Sequence, residues 1–411
     1  MADAQSVRAR IDATKAAAGA NSPFTDDELD RACSSLQGLL TAAMAGAGPG
    51  VRIPGAWAGY RELLAKWAHE SHKQWERTDA ASQELSAILG GPEGAAFRTL
   101  FDRVLRDGNW GGAEAAAAAR PADFRPWVIL ITGVNGARKT SSVYQPWFKD
   151  ALRRALAAQH PELAAAELPD GDDSFFRQLD YMMATLGNEE FRHLYTVTDL
   201  PLYAALKDSI FGRYRMLAEM LGVMLCKESQ QRKLNIFVET SGRDIAMFKY
   251  VDQFFPESSG YRKLVVHFTI NDLAFAERSV DSRMEKEMAD GAAALQQPSV
   301  AATIEANAGG PYGSAALAGV QAASEEVWQS VLDGALGASG EAWHKACLAI
   351  TGRDDGEWTV AAVPSYPAGW LAAYSKLDLA AIKSLAAVSG DGSFPIAPRK
   401  ALGGAGKRRR E

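Results

Sequence analysis

Through the first 120 residues the hydrophobic positions recur at helical spacing. Thr25-Asp26-Asp27-Glu28 follows Pro23-Phe24, with Thr25 placed to cap a helix and Glu28 to close a capping box. Leu29, Cys33, Leu36, Leu39 and Leu40 then share one face. Tyr60, Leu63, Leu64 and Trp67 open a second amphipathic stretch over 57–89. Phe97, Leu100, Phe101 and Val104 predict a third helix over 95–105. His69, His72 and Trp75 fall inside the second stretch and read as a solvated helix face. The Ala-rich run 114–120 reads as a connector.

The period then changes. Val128–Thr132, Leu234–Val238 and Leu264–Ile270 are short apolar runs rich in β-branched residues, the pattern of strands buried on both faces. Helical stretches separate them, one over 202–224 and a polar one over 272–288, and Pro146 marks a break in the helix after the first strand. Leu168–Tyr181 (LPDGDDSFFRQLDY) reads as an acidic loop. Beyond Gly291 the chain returns to Ala-rich helical character. Asn307–Tyr312 forms a loop there, 324–332 a helix, and Trp343, His344 and Cys347 sit on a further amphipathic helix. The pattern divides the chain into a helical region (1–122), an α/β core (123–290), a helical C-terminal part or lid (291–390) and a disordered basic tail (391–411).

The first strand carries the chemistry. WVILITGVNGARKTSS runs strand, glycine turn, Lys-Thr, helix, which is the order of a phosphate-binding loop. The loop residues Gly133, Val134, Asn135, Gly136, Ala137, Arg138, Lys139, Thr140 and Ser141 are therefore candidates for holding nucleotide phosphates. Lys139 would reach the outer phosphates and the Thr140 hydroxyl would ligate Mg²⁺. Arg138 stands where such a loop usually has glycine. The same order also fits a plain strand-to-helix turn with a Lys-Thr cap. The fold class expected is α/β: a doubly wound parallel sheet of the P-loop NTPase type with helical additions at both ends.

Composition narrows the classes. The 411 residues are 47% hydrophobic and 23% charged, ordinary for a soluble globular protein, and the net charge of −6 argues against general nucleic-acid binding. Three distant cysteines give no disulfide or zinc spacing, which fits a reducing compartment. No run approaches the ~20 apolar residues that span a bilayer, and the first 20 residues carry no secretory pattern. A cytoplasmic protein is expected. The Lys407–Arg410 cluster is either a nuclear address or solvated terminal charge.

Phosphoryl transfer needs held phosphates, a metal, a base for the acceptor hydroxyl and cations on the group in flight. Asp173 is a candidate base, although the same residues fit an acidic turn in which Ser174 caps the next helix. Glu239 could support the metal. Arg278 and Arg283 follow the third strand, but five residues is about 500° of helix, so both cannot address one phosphate.

The order ITGVNGARKTSS, DDSFFR, NIFVETSGRD, GYRKLVVHFTINDLAFAER resembles the zeta toxin family of P-loop kinases, which is related to the chloramphenicol phosphotransferases. The resemblance spans about 127–283. It implies ATP and Mg²⁺ as cofactors, Lys139 and Thr140 at nucleotide and metal, and Asp173 as catalytic base. It further implies Glu239 at metal or substrate, Arg278 at the transferred phosphate, and Thr240, Arg243 and Arg177 near the substrate. Family members phosphorylate the sugar of UDP-N-acetylglucosamine, so a small-molecule acceptor such as a nucleotide sugar is expected. Arg138 departs from the family pattern, and Gly309-Gly310-Pro311 has neither the family's following His nor the second Arg that precedes it. They leave room for an alternative, a nucleotide-binding interaction protein without transfer activity that meets a protein partner through its N-terminal helices.

Overall fold

A computed structural model describes residues 3–44, 57–90, 94–163, 166–297, 299–352, 358–363 and 393–395. The basic cluster 407–410 lies outside the described residues. The protein is mixed α/β. Its sheet runs β2-β3-β1-β4-β5-β6-β7, with β1 Trp127–Thr132, β2 Ser174–Arg177, β3 Asn235–Glu239, β4 Arg262–Ile270, β5 Trp343–Gly352, β6 Trp358–Val363 and β7 Ser393–Pro395. The pairs from β2 to β5 are parallel, and β6 and β7 are antiparallel.

β1 is central because all six of its residues are buried and only a strand covered on both faces can be apolar throughout. It pairs with β3 at Leu130↔Val238 and with β4 at Leu130↔Val265. Parallel pairing turns the ends of β1 (Thr132), β3 (Glu239) and β2 (Arg177) to one edge, and the loops beyond them build the site.

Four strands differ from the sequence expectation. β6 and β7 fall in stretches read as the helical C-terminal part and the disordered tail, and both pair antiparallel at the end of the sheet. Ser174–Arg177, read as part of a loop, is β2: Phe176 stacks on Phe237 of β3 (5.7 Å, 20°), and partner burial decides where a four-residue pattern cannot. Trp343–Gly352, read as helical, is β5, paired with β4 from Lys263↔Trp343 to Ile270↔Ile350. Its apolar positions fit either period, and the exposed edge of β4 selects the strand.

The N-terminal helices belong to the same apolar core as the sheet. The capping box forms as drawn: Glu28 N–H donates to Thr25 Oγ1 (3.2 Å) and Thr25 N–H to Glu28 Oε2 (2.8 Å), opening helix Asp26–Met44. The 57–89 stretch is two helices, Trp57–Trp67 and Trp75–Leu89, and the run 114–120, read as a connector, forms the end of helix Trp110–Ala119 with Arg120 as its C-cap. Gly108 accepts the Phe176 N–H (2.8 Å), so the turn after helix Ala95–Asp107 covers the outer edge of β2. Helix Leu200–Gln231 runs through this layer, buried over most of its length. Among the described residues no helix is long and apolar enough to cross a membrane.

Candidate functional site

A cleft of about 560 Å³ opens at the C-terminal ends of β1, β2 and β3. The glycine loop forms one wall. Gly136 has φ +84°, and a Cβ there would lie 2.5 Å from the Ala276 carbonyl oxygen, so this turn excludes side chains. Arg138 also adopts a left-handed φ of 56°, which its Cβ disfavours, and its guanidinium stacks 5.0 Å from the Phe275 ring. Asn135, Gly136, Arg138, Lys139, Thr140 and Ser141 line the cleft, while Val134 and Ala137 are buried beneath it.

Lys139 is 4% exposed and donates from Nζ to the carbonyls of Gly133 (2.7 Å) and Val134 (3.0 Å), with Glu239 Oε1 at 3.4 Å. Burial pulls its ammonium below the usual lysine range, and Glu239 partly offsets this. Thr140 Oγ1 donates to Glu239 Oε2 at 3.2 Å. A threonine hydroxyl and a carboxylate side by side are hard oxygen donors, the kind Mg²⁺ takes.

Asp173 is not at this site. It precedes β2, so it sits at the N-terminal edge of the sheet, the far end of the strand from the cleft. There it accepts from Lys149 Nζ (2.9 Å), Ser174 Oγ (2.7 Å) and Asp170 N–H (3.1 Å). Asp180, three residues past the end of β2, does line the cleft. Its Oδ2 accepts the Gly310 N–H at 3.1 Å, and Arg215 lies 3.9 Å from Oδ1. Once the Phe175-Phe176 run is read as a strand, direction alone separates the two aspartates: one precedes it and the other follows.

The arginines divide in the same way. Arg278 is half-exposed, lies 3.7 Å from Asp272 and does not line the cleft. Arg283 does. It lies on the face of helix Leu273–Ala294 that carries Val280 and Glu287, and its Nε has no partner among the described residues. Gly310 (φ +22°) makes room for it, since a Cβ there would lie 2.7 Å from Arg283 Nη2 and 3.0 Å from Asn135 Nδ2. Loop 307–310 is anchored from below. Glu287 accepts from Lys207 Nζ (2.7 Å), Tyr203 OH (2.7 Å) and the Ala308 N–H (2.8 Å), and Lys207 also donates to the Gly309 carbonyl. Both Lys207 and Glu287 are fully buried.

Arg177 reaches the cleft only as its floor. It is buried, donates to Tyr250 OH (2.7 Å) and lies 3.5 Å from Glu219. Burial raises the Glu219 pKa, but Arg215 and Arg177 outweigh it and hold the carboxylate below its usual range. Glu219 in turn accepts from Arg215 (2.5 Å), which lines the cleft. Thr240 and Arg243 line it as well, Arg243 stacked 4.9 Å from the Tyr312 ring.

The far wall comes from the N-terminal region. Of His69, His72 and Trp75, read from the sequence as a solvated face, His72 and Trp75 line the cleft, and Lys73 lines it with them. Trp75 is buried against Tyr250 (4.9 Å) and donates to the Ala246 carbonyl (3.1 Å), and Lys73 pairs with Asp244. Burial, with Arg215 nearby, pushes the His72 imidazole down to about 4. No local signal marks this turn, because its partners lie some 170 residues away.

No protein-family model matches the chain, and no curated protein matches it. A solved structure from the molecular and structural characterization of the PezAT chromosomal toxin–antitoxin system of Streptococcus pneumoniae is similar over 71% of this chain and 96% of that one, at 11% identity and a TM-score of 0.36.

Proposed function

We propose that the chain is a nucleotide-dependent phosphotransferase that passes the terminal phosphoryl group of ATP to a hydroxyl of a small molecule. Asp180, rather than Asp173, is its base. The observation that supports this is the convergence of Lys139, Glu239, Asp180 and Arg283 on one cleft beside a positive-φ glycine loop. The strand, glycine loop, Lys-Thr, helix order at the head of a parallel sheet supports a doubly wound, phosphate-binding-loop fold.

Each group has a role that its surroundings suit. Thr140 and Glu239 would hold Mg²⁺, which when bound neutralises phosphate charge and orients the donor. Lys139, desolvated and charge-paired, would hold the outer phosphates in place of the two carbonyls it now contacts. The Arg283 guanidinium would take the charge that develops on the group in flight. As the acceptor oxygen bonds to phosphorus and the bond to ADP breaks, the hydroxyl proton passes to Asp180. Arg243 adds positive charge beside the ion pairs Lys73–Asp244 and Arg215–Glu219, which suits an acceptor that carries negative charge, a nucleotide sugar among them.

The test is ATP turnover by the full chain with Mg²⁺ across a panel of nucleotide sugars and other hydroxyl compounds. Acceptor-dependent turnover that disappears in Lys139→Ala and Asp180→Asn supports the reading. ATP binding with no product from any acceptor favours a second one, a nucleotide-binding scaffold whose partner meets the N-terminal helices. That alternative draws on Arg138, which holds a strained φ in the loop.

A further inference from the structure

The edge of the sheet away from the cleft carries a second cluster of functional side chains. His160 follows helix Phe148–Leu156, Glu162 lies in the turn Pro161–Leu163, and His344 is the second residue of β5. His160 Nδ1 lies 3.3 Å from His344 Nδ1 and 3.3 Å from Glu162 Oε1, and His344 Nδ1 lies 3.8 Å from the same oxygen. The two imidazoles meet edge to face at 4.7 Å between ring centroids, so the same type of nitrogen from two separate elements converges on one point.

We propose that His160, Glu162 and His344 form a binding site for a divalent transition-metal ion of the zinc class. Metal–nitrogen bonds of about 2.0–2.1 Å in a tetrahedral site put the ligand atoms about 3.3 Å apart. Two of the three separations already have that value. The third closes when Glu162, 58% exposed at its side chain and free to rotate, swings by a fraction of an ångström. Two imidazoles and a carboxylate form a ligand set that zinc accepts, with a fourth position left for water. Glu162 and His344 also line a cavity of about 920 Å³ that gives a path in and space for that water.

One contact opposes the metal. The Lys345 N–H points at His160 Nε2 at 3.3 Å, and that nitrogen must carry the ring proton when Nδ1 holds an ion. The bond is long, and metal binding gives it up. Without an ion, the same geometry is held by a proton on His160 Nδ1 shared between His344 and Glu162, and the experiment distinguishes the two. His344 pairs with Leu264 near the start of β4, whereas β1 and β3 run into the cleft at the register of His267 and Val266, and none of the three side chains lines the cleft. The ion would therefore tie the segment after helix Phe148–Leu156 to β5 and take no part in transfer.

The test uses the full chain, stripped with chelator and titrated with Co²⁺ and then Zn²⁺. One equivalent of Co²⁺ should give the visible absorption of a low-symmetry tetrahedral site, and Zn²⁺ should displace it and raise the melting temperature. Glu162→Gln, at an exposed side chain that cannot unfold the protein, should weaken binding at least about tenfold. His160→Asn and His344→Asn should abolish the spectrum. The proton-only arrangement predicts no Co²⁺ spectrum and no Zn²⁺-dependent melting shift, and that result overturns the proposal. A spectrum that survives in all three variants overturns it as well, because the ion then sits elsewhere.

Discussion

The Gly310 N–H donates to Asp180 Oδ2 at 3.1 Å, and this bond ties the segment beyond β2 to the loop between helices Val300–Ala306 and Ser314–Leu332. It fixes one carboxylate oxygen and leaves the other toward Arg215 and the cleft. Asp180→Asn keeps the shape and removes the proposed base, so turnover should fall about 10²–10⁴-fold while ATP binding persists. Asp173→Asn should leave turnover near the parent level and lower stability by about 1–3 kcal/mol, because Lys149, Ser174 and Asp170 lose a charged acceptor. Turnover and denaturant unfolding of both variants decide between the aspartates. Loss of activity in Asp173→Asn alone would reverse the assignment.

The two arginines of helix Leu273–Ala294 separate by the same logic. Arg283→Ala should cost about 10²–10³-fold in kcat, the scale of losing one charge-stabilising donor. Arg278→Ala should stay within about threefold, since its pairing with Asp272 is solvent-exposed. Steady-state kinetics of the pair, with the fold checked by circular dichroism, is sufficient.

Lys207 and Glu287 hold loop 307–310 from inside the protein. Lys207→Met leaves a buried carboxylate with, among the described residues, Tyr203 and the Ala308 N–H as its remaining partners, and should destabilise the chain by about 3–5 kcal/mol. Because the loop carries Gly310, kcat should fall in the same variant under conditions where it is still folded. An unchanged unfolding midpoint would show that the pair is dispensable.

His72 makes stability depend on pH. Its imidazole titrates near 4 in the folded chain against 6.5 when unfolded, so below pH 6.5 the unfolded state binds a proton that the folded state refuses. The associated stability is complete above pH 6.5, declines as pH falls to about 4, and is then flat. The full decline is at most about 3 kcal/mol, and partial solvent access reduces it. The stability difference between His72→Gln and the parent should therefore shift in the variant's favour between pH 6.5 and 4. Parallel curves across that window would remove His72 from the account.

Some of this was legible in the amino-acid sequence. β1, β3 and β4 each hold a short run rich in apolar and β-branched residues bounded by turn residues, the pattern of a buried strand, so local chemistry sufficed. The glycine loop could be read because Gly136 meets a backbone constraint that only glycine satisfies, and the Thr25–Glu28 box because capping is a contact between near neighbours. β2 and β5 could not be read this way: four or ten residues of mixed pattern fit either period, and the free edges of β3 and β4 choose the strand.

The proposed base turns on that ambiguity. A motif centred on Asp-Asp-Ser-Phe-Phe-Arg points to Asp173, and only the direction of β2 in the sheet shows that the chain reaches the cleft after the strand, at Asp180. Which of Arg278 and Arg283 faces inward depends on the rotation of one helix, set by the burial of Val280, Met284 and Glu287. That His72, Lys73 and Trp75 wall the cleft rests on contacts 170 residues apart. Sequence by itself determined the elements whose stability is local. The tertiary structure decided which of their charged side chains share a space, because that depends on strand direction, helix rotation and long-range packing, none of which is written in neighbouring residues.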